Sequence, residues 1–215
     1  MQNRKFLKSQ APFRLLILAT FAAVLLCPVP ARATAILSLQ SVIANSPSAG
    51  NEFDVVLTNT GPTSITLGAF LFELTTSDTN ITFTSATTAT ILFAYVFSGH
   101  SLFGPTISTS GPGQLIDASD NFDTPGAGAV IGAGISVGLG HILFDVAPGD
   151  TAGPKTVNFT AFPSTALSDN LGNNITFTAT PGTITIASSS VPEPSTLMMA
   201  MLGFPVLAWA RKRLR

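Results

Sequence analysis

The sequence predicts an all-β domain, a sandwich of antiparallel strands, between two apolar ends. Along the middle of the 215-residue chain, apolar and polar residues alternate in several short runs, for example over 53–58. Such period-two patterns are typical of half-buried antiparallel strands. The stretch is rich in Thr, Ser and Gly and nearly free of Lys, Arg and Glu, a composition that disfavours helices. Turns containing Pro and Gly, such as 148–150 and 181–182, separate the runs, as in a β-sandwich.

The N-terminus has the pattern of a secretory signal peptide, predicted as residues 1–33. Basic residues precede an apolar stretch, and Ala31 and Ala33 are the small residues that a signal peptidase reads at its cleavage boundary. We expect cleavage after Ala33 and export through the inner membrane. The one cysteine, Cys27, leaves a lipoprotein open as an alternative, although Leu26 before it disfavours lipid attachment. Cleavage leaves a chain without a thiol, which excludes disulfides and cysteine-based sites.

The predicted domain covers residues 34–187, the size of one ordinary domain. The positions expected to face its core lie two apart within each run: Phe53, Val55, Leu57; Phe70, Phe72, Leu74; Ile81, Phe83; Ile142, Phe144, Val146; Val157, Phe159; Ile175, Phe177; Ile184, Ile186. From 34 to 190 there are ten acidic residues and one base, Lys155, a formal net charge of -9. Such a surface cannot neutralise phosphates, so nucleic acid is excluded as a partner.

The sequence contains no recognisable catalytic arrangement. Its two histidines, His100 and His141, have no catalytic partner near them in sequence. The one Gly-x-Ser-x-Gly match, at 134–138, stands in an all-β stretch and not at the strand-to-helix turn of a nucleophile elbow. Nothing in the sequence places two acids across a cleft, as glycoside hydrolysis requires. We therefore expect structural histidines and no enzyme activity, with a hidden carboxylate site acting on glycans as the alternative.

One acidic run is the candidate for a metal site. Asp117, Asp120, Asn121 and Asp123 carry four oxygen-bearing side chains within seven positions, and calcium prefers oxygen ligands. Their spacing is not that of an EF-hand. We expect either a calcium-binding loop or a solvated acidic turn, and no other cofactor is implied.

The C-terminal segment has three parts. In the linker 188–195, the motif Val191-Pro192-Glu193-Pro194 is held extended by its prolines. The apolar run 196–210 would reach roughly 22 Å as a helix, a marginal transmembrane span. Basic residues fill 211–215 and place the C-terminus in the cytoplasm; they are Arg211, Lys212, Arg213 and Arg215.

This succession of a Pro-Glu-Pro signature, one hydrophobic helix and a basic end resembles the bacterial PEP-CTERM sorting signal. In that family the signal is recognised by exosortase, a membrane protease-transpeptidase, so the resemblance implies exosortase as the processing partner. The C-terminal helix would anchor the protein in the membrane transiently, before it reaches the cell surface or the outside. A plain C-terminal anchor or a helix lying on the membrane surface is the alternative.

The middle of the chain resembles cohesin domains. The similar segments are, in chain order, 36–39, 49–55, 67–74, 140–146, 155–159, 167–175 and 182–186. The resemblance covers about 36–187 and implies a cohesin-like jelly-roll sandwich of about nine strands, related to several carbohydrate-binding modules.

Together these features predict an exported, non-enzymatic surface or extracellular-matrix protein with an adhesion role associated with exopolysaccharide. Its sandwich would bind exopolysaccharide or another surface protein. A carbohydrate-binding module proper and a glycan-active enzyme are the alternatives.

Overall fold

The computed structural model describes residues 35–188. Its strands are β1 (Ala35–Leu39), β2 (Val42–Ala44), β3 (Ser48–Asn59), β4 (Ile65–Leu67), β5 (Ala69–Thr76), β6 (Ile81–Thr87), β7 (Ser108–Ser110), β8 (Leu115–Asn121), β9 (Ala129–Ile131), β10 (Ser136–Val146), β11 (Gly153–Phe159), β12 (Ala166–Ser168), β13 (Phe177–Thr180) and β14 (Gly182–Ile186). These are fourteen strands, more than the nine or so predicted, and five of them have only three residues each. The all-β prediction is confirmed.

Residues 35–188 contain no helix, and therefore none that is long and apolar enough to cross a membrane. The predicted signal peptide with its boundary residues, the 191–194 motif, the helix at 196–210 and the basic residues of 211–215 lie outside the described residues.

Two large sheets form the sandwich. The smaller has the strand order β13-β1-β3-β10-β6, and the larger has β2-β14-β11-β5-β8-β7, with β12 also paired to β5. β4 and β9 form a separate two-stranded sheet.

The pairings between strands are antiparallel, as predicted, with two exceptions: β1 with β13 and β2 with β14 are parallel. Both ends of the domain pass from one sheet to the other, at β1–β2 and at β13–β14. The β1–β2 and β13–β14 stretches pass between the sheets in the same direction. β13 therefore lies parallel beside β1, and β14 lies parallel beside β2.

The core consists of the inward residues of both sheets. Phe53, Phe83 and Phe144 contribute from the smaller sheet, with the ring centre of Phe53 5.8 Å from that of Phe144. Phe72 and Leu74 face them from the larger sheet and are fully buried. The period-two prediction is confirmed for these positions. Three other predicted core positions are only partly buried against the core: Phe159, Ile175 and Phe177.

A long loop, residues 88–106, follows β6 and is named here the 88–106 loop. Its base is closed by the pairing of Thr87 with Thr106. Tyr95 and Phe97 from this loop are buried in the core. In contrast, the aliphatic and aromatic side chains of residues 91–93 and 102–103 are exposed.

Candidate binding face

The outer face of the larger sheet is polar. Because Phe70, Phe72 and Leu74 of β5 are buried, strand alternation turns the residues between them outward. β8 alternates in the same way and pairs with β5 in antiparallel register. The outward positions of these two strands are Ala69, Leu71, Glu73, Thr75, Leu115, Asp117, Ser119 and Asn121.

A groove runs over this face and is named here the β5–β8 groove. Its main part has a volume of about 450 Å³ and lies between β7 and the segment at Pro163 and Ser164. A second concavity of about 230 Å³ continues it toward β12. Leu71 and Ser119 line both parts, so the two concavities form one continuous track.

Two acids face each other on the floor of the groove. Glu73 and Asp117 are direct partners in the β5–β8 register, and both line the main part of the groove. Burial raises the pKa of the Asp117 carboxyl, and the neighbouring Glu73 raises it further. The hydroxyl of Ser110 opposes this shift by donating a hydrogen bond to Asp117 Oδ2 at 3.0 Å. The groove therefore concentrates negative charge on a site that favours a proton or another cation.

The only base between residues 35 and 188 is engaged elsewhere. Lys155 Nζ lies 2.6 Å from Asp78 Oδ2 and 2.7 Å from Asp150 Oδ1. Lys155 donates hydrogen bonds to these two carboxylates, which raises the pKa of Lys155, and its contact with Asp78 lowers the pKa of Asp78. No lysine or arginine of the described residues is therefore left to neutralise Glu73 and Asp117.

The structure corrects the loop that was expected at residues 117–123, because most of this run is strand β8. Strand alternation turns Asp117 and Asn121 outward and buries Asp120, which accepts a 2.6 Å hydrogen bond from the hydroxyl of Tyr95. Asp123 follows the strand and lies 3.5 Å from His100.

Within residues 35–188, no three His, Cys, Asp or Glu side chains are grouped so as to hold a metal ion. Calcium binding by Asp117, Asp120, Asn121 and Asp123 stays a prediction, to be checked through the calcium dependence of the melting temperature.

His141 has partners that its sequence neighbourhood did not reveal. Its Nδ1 lies 2.8 Å from Asp54 Oδ1 and its Nε2 lies 3.1 Å from Glu52 Oε2. Asp54 Oδ2 also accepts 2.6 Å hydrogen bonds from the backbone amides of Ile91 and Leu92. The arrangement joins β3 and β10 to the 88–106 loop, which is a structural role. This contact follows from the register of β3 with β10, which pairs Asp54 with His141 and which the local sequence does not reveal.

The C-terminal segment matches a known sorting motif. Residues 190–214 match the family model described as the PEP-CTERM protein-sorting motif. No curated protein matches the chain.

The sandwich is similar to solved structures of cohesins. The cohesin in the Coh-OlpA–Doc918 complex from Clostridium thermocellum has a TM-score of 0.55 and 16% identity, over 72% of this chain and 99% of that chain. CaCohA2 from Clostridium acetobutylicum gives 0.53 and 18%, over 73% and 93%. The sixth cohesin of scaffoldin B from Acetivibrio cellulolyticus, in complex with a Cel5 dockerin, gives 0.54 and 13%, over 71% and 99%. At these identities the comparisons establish the fold. The chain thus carries a PEP-CTERM sorting motif and a cohesin-like β-sandwich.

Proposed function

We propose that the protein is exported, processed by an exosortase and displayed at the cell surface, where its sandwich binds a partner protein through the β5–β8 groove. The observation that carries the binding role is the Glu73–Asp117 acid pair, which lies on an open sheet face in register. Exposed acids that no internal base neutralises are suited to receive a Lys or Arg of a partner.

A protein partner fits this face better than an anionic polymer. The described domain has a large excess of acids over its one base, which repels uronate, phosphate and sulfate groups. Two of the cohesins of similar fold were solved in complexes with dockerins, which supports a protein-binding role for the same fold here. An exopolysaccharide association would then involve neutral glycan or an intermediate protein.

The sorting steps rest on the two ends of the chain. Signal peptidase would cut after Ala33, and exosortase would act at the 191–194 motif while the 196–210 helix holds the protein in the membrane. The match at residues 190–214 supports the second step.

A glycan-active enzyme is the second candidate, because the groove contains two carboxyl groups. Their placement argues against it. Glu73 and Asp117 lie side by side on one sheet face as direct cross-strand partners, whereas the two carboxyl groups of a glycosidase flank the sugar bond from opposite sides.

The binding role can be tested by photo-cross-linking in the native cell. A photo-reactive amino acid replaces Ser119 in the groove, or Thr84 on the exposed face of β6 as the control. We expect protein adducts at position 119 that disappear when Glu73→Gln and Asp117→Asn are introduced. Equal adducts at both positions, or none at position 119, would contradict the proposal.

A further inference from the structure

The 88–106 loop exposes five large apolar side chains in two short stretches, named here the apolar stretches of the loop. They are Ile91, Leu92, Phe93, Leu102 and Phe103. Each of the five residues is between 42% and 64% exposed. A concentration of exposed apolar side chains in one loop marks a surface that contacts another molecule or a membrane.

The first apolar stretch is fixed in place by a buried carboxylate. Phe53 and Val55 face the core, so strand alternation turns Asp54 to the outer face of the smaller sheet. There Asp54 Oδ2 accepts 2.6 Å hydrogen bonds from the backbone amides of Ile91 and Leu92. This stretch therefore lies over the outer face of the smaller sheet, on the side of the sandwich opposite the β5–β8 groove.

The second apolar stretch is fixed at the end of β8. The backbone amide of Leu102 donates a 2.9 Å hydrogen bond to the carbonyl oxygen of Asn121. Between the two stretches, Tyr95 and Phe97 are buried in the core. The exposed apolar side chains are thus presented by a backbone that the rest of the domain holds in place, which lowers the entropic cost of a contact.

The charge pattern indicates what this surface contacts. No Asp, Glu, Lys or Arg occurs between Asp78 and Asp117, although the exported domain is strongly acidic overall. A protein interface normally surrounds its apolar centre with a polar rim, and a second copy of this domain would be repelled by the shared negative charge. An uncharged loop with aliphatic and aromatic tips is suited instead to the boundary between lipid headgroups and acyl chains.

The length of the chain beyond the domain brings the loop near a bilayer. The last strand ends at Ile186, and the linker 188–195 separates the domain from the apolar run 196–210. Eight residues span at most roughly 26 Å when fully extended. While the tail is in the membrane, this short tether keeps the loop at a high effective concentration next to the lipid.

We propose that the two apolar stretches of the 88–106 loop insert into the surface of a lipid bilayer, as a membrane contact separate from the C-terminal tail. The inference rests on the tail anchoring proposed above, which brings the loop close to the lipid. The sandwich then lies with the outer face of its smaller sheet toward the bilayer. The β5–β8 groove faces away from the lipid and stays free for the partner protein.

Tryptophan quenching in vesicles tests the contact. The chain's single tryptophan, Trp209, is replaced by Phe, and a new tryptophan is introduced by Phe93→Trp or Phe103→Trp. The matched control is Phe162→Trp, because Phe162 is 68% exposed and precedes Pro163 of the groove. Each full chain is reconstituted in phosphatidylcholine vesicles with brominated acyl chains. We expect quenching at positions 93 and 103 and none at position 162.

Polar substitutions identify the side chains that make the contact. Ile91→Ser with Leu92→Ser should remove most of the quenching of the Phe93→Trp chain. Ile43→Ser with Leu171→Ser, two positions that are exposed outside the loop, should leave that quenching unchanged. Because all four side chains are exposed, neither pair should unfold the domain, and thermal melting of both variants checks this.

Flotation of the vesicles reports on the tail separately. A chain that floats without quenching at 93 and 103 overturns the loop contact and leaves the tail anchoring intact, whereas a chain that neither floats nor is quenched contradicts both proposals. Equal quenching at position 162, or quenching that survives the two serines, also overturns the loop contact. So does an emission shift at 93 and 103 that follows protein concentration without lipid, which would indicate a contact between copies.

Discussion

The imidazole of His141 lies between two carboxylates, with Nδ1 2.8 Å from Asp54 and Nε2 3.1 Å from Glu52. An ionised carboxylate only accepts hydrogen bonds, so both contacts are satisfied when the ring carries both protons. The Asp54 side chain is 1% exposed, whereas Glu52 is 52% exposed. The buried His141–Asp54 contact should therefore stabilise the fold more than the exposed His141–Glu52 contact does.

Asp54→Ala should lower the free energy of unfolding by about 3 kcal/mol, because it leaves a buried histidine and two backbone amides without their acceptor. The matched truncation at the exposed end, Glu52→Ala, should cost less than about 1 kcal/mol. Urea unfolding of the two variants measures both values. Equal losses would show that Asp54 is not the main anchor of the 88–106 loop.

The Asp54–His141 contact also marks the limit of what the sequence could predict. Period-two alternation was sufficient to place Phe53 and Phe144 in the core, since that pattern is local. The partners of Asp54, and of Glu73, are chosen by strand register over long separations. No local pattern encodes that register.

Asp120 departs from the predicted loop for a different reason. Asp and Asn favour turns by bonding their own backbone, so a run rich in them predicts a turn. The buried hydrogen bond from Tyr95 outweighs that preference and allows Asp120 to occupy an inward strand position.

Lys155→Met should destabilise the protein at neutral pH, since it leaves the buried carboxylate of Asp150 and that of Asp78 without their cation. The folded-state pKa of Asp78 is lowered, so its contribution is present above the ordinary carboxyl pKa of 3.8 and is lost as the pH falls through the lower folded value. The wild type should therefore lose more stability than Lys155→Met on acidification below that point. Parallel pH profiles of the two unfolding free energies would contradict this account.

Asp117→Asn should raise the free energy of unfolding at neutral pH by less than about 1 kcal/mol, in the range of exposed charge pairs. The pKa of Asp117 is raised in the folded state, so its ionised form disfavours folding, and the gain should vanish below the ordinary carboxyl pKa. Glu73→Gln should act in the same direction. Because either change removes the repulsion, the double variant should gain little more than one alone, which a double-mutant cycle would measure.

Processing at the C-terminus predicts a defined product. Mature protein from the native cell should lack the segment after Pro194, and deletion of the exosortase should retain the protein in the membrane fraction. Mass spectrometry of the released protein provides the measurement. Intact peptides from 196–215 in released protein would indicate that the motif is not a cleavage signal.

The central claim is that a partner protein is held by the Glu73–Asp117 pair. Its most direct test is calorimetric titration of the full chain with the protein cross-linked at position 119. We predict that Glu73→Gln with Asp117→Asn weakens binding by about tenfold or more, equivalent to about 1.4 kcal/mol. The same double variant should also remove most of the salt dependence. A charge-matched control, Asp123→Asn with Asp169→Asn outside the groove, should leave the affinity unchanged. Equal affinity of both double variants and the wild type would contradict the claim.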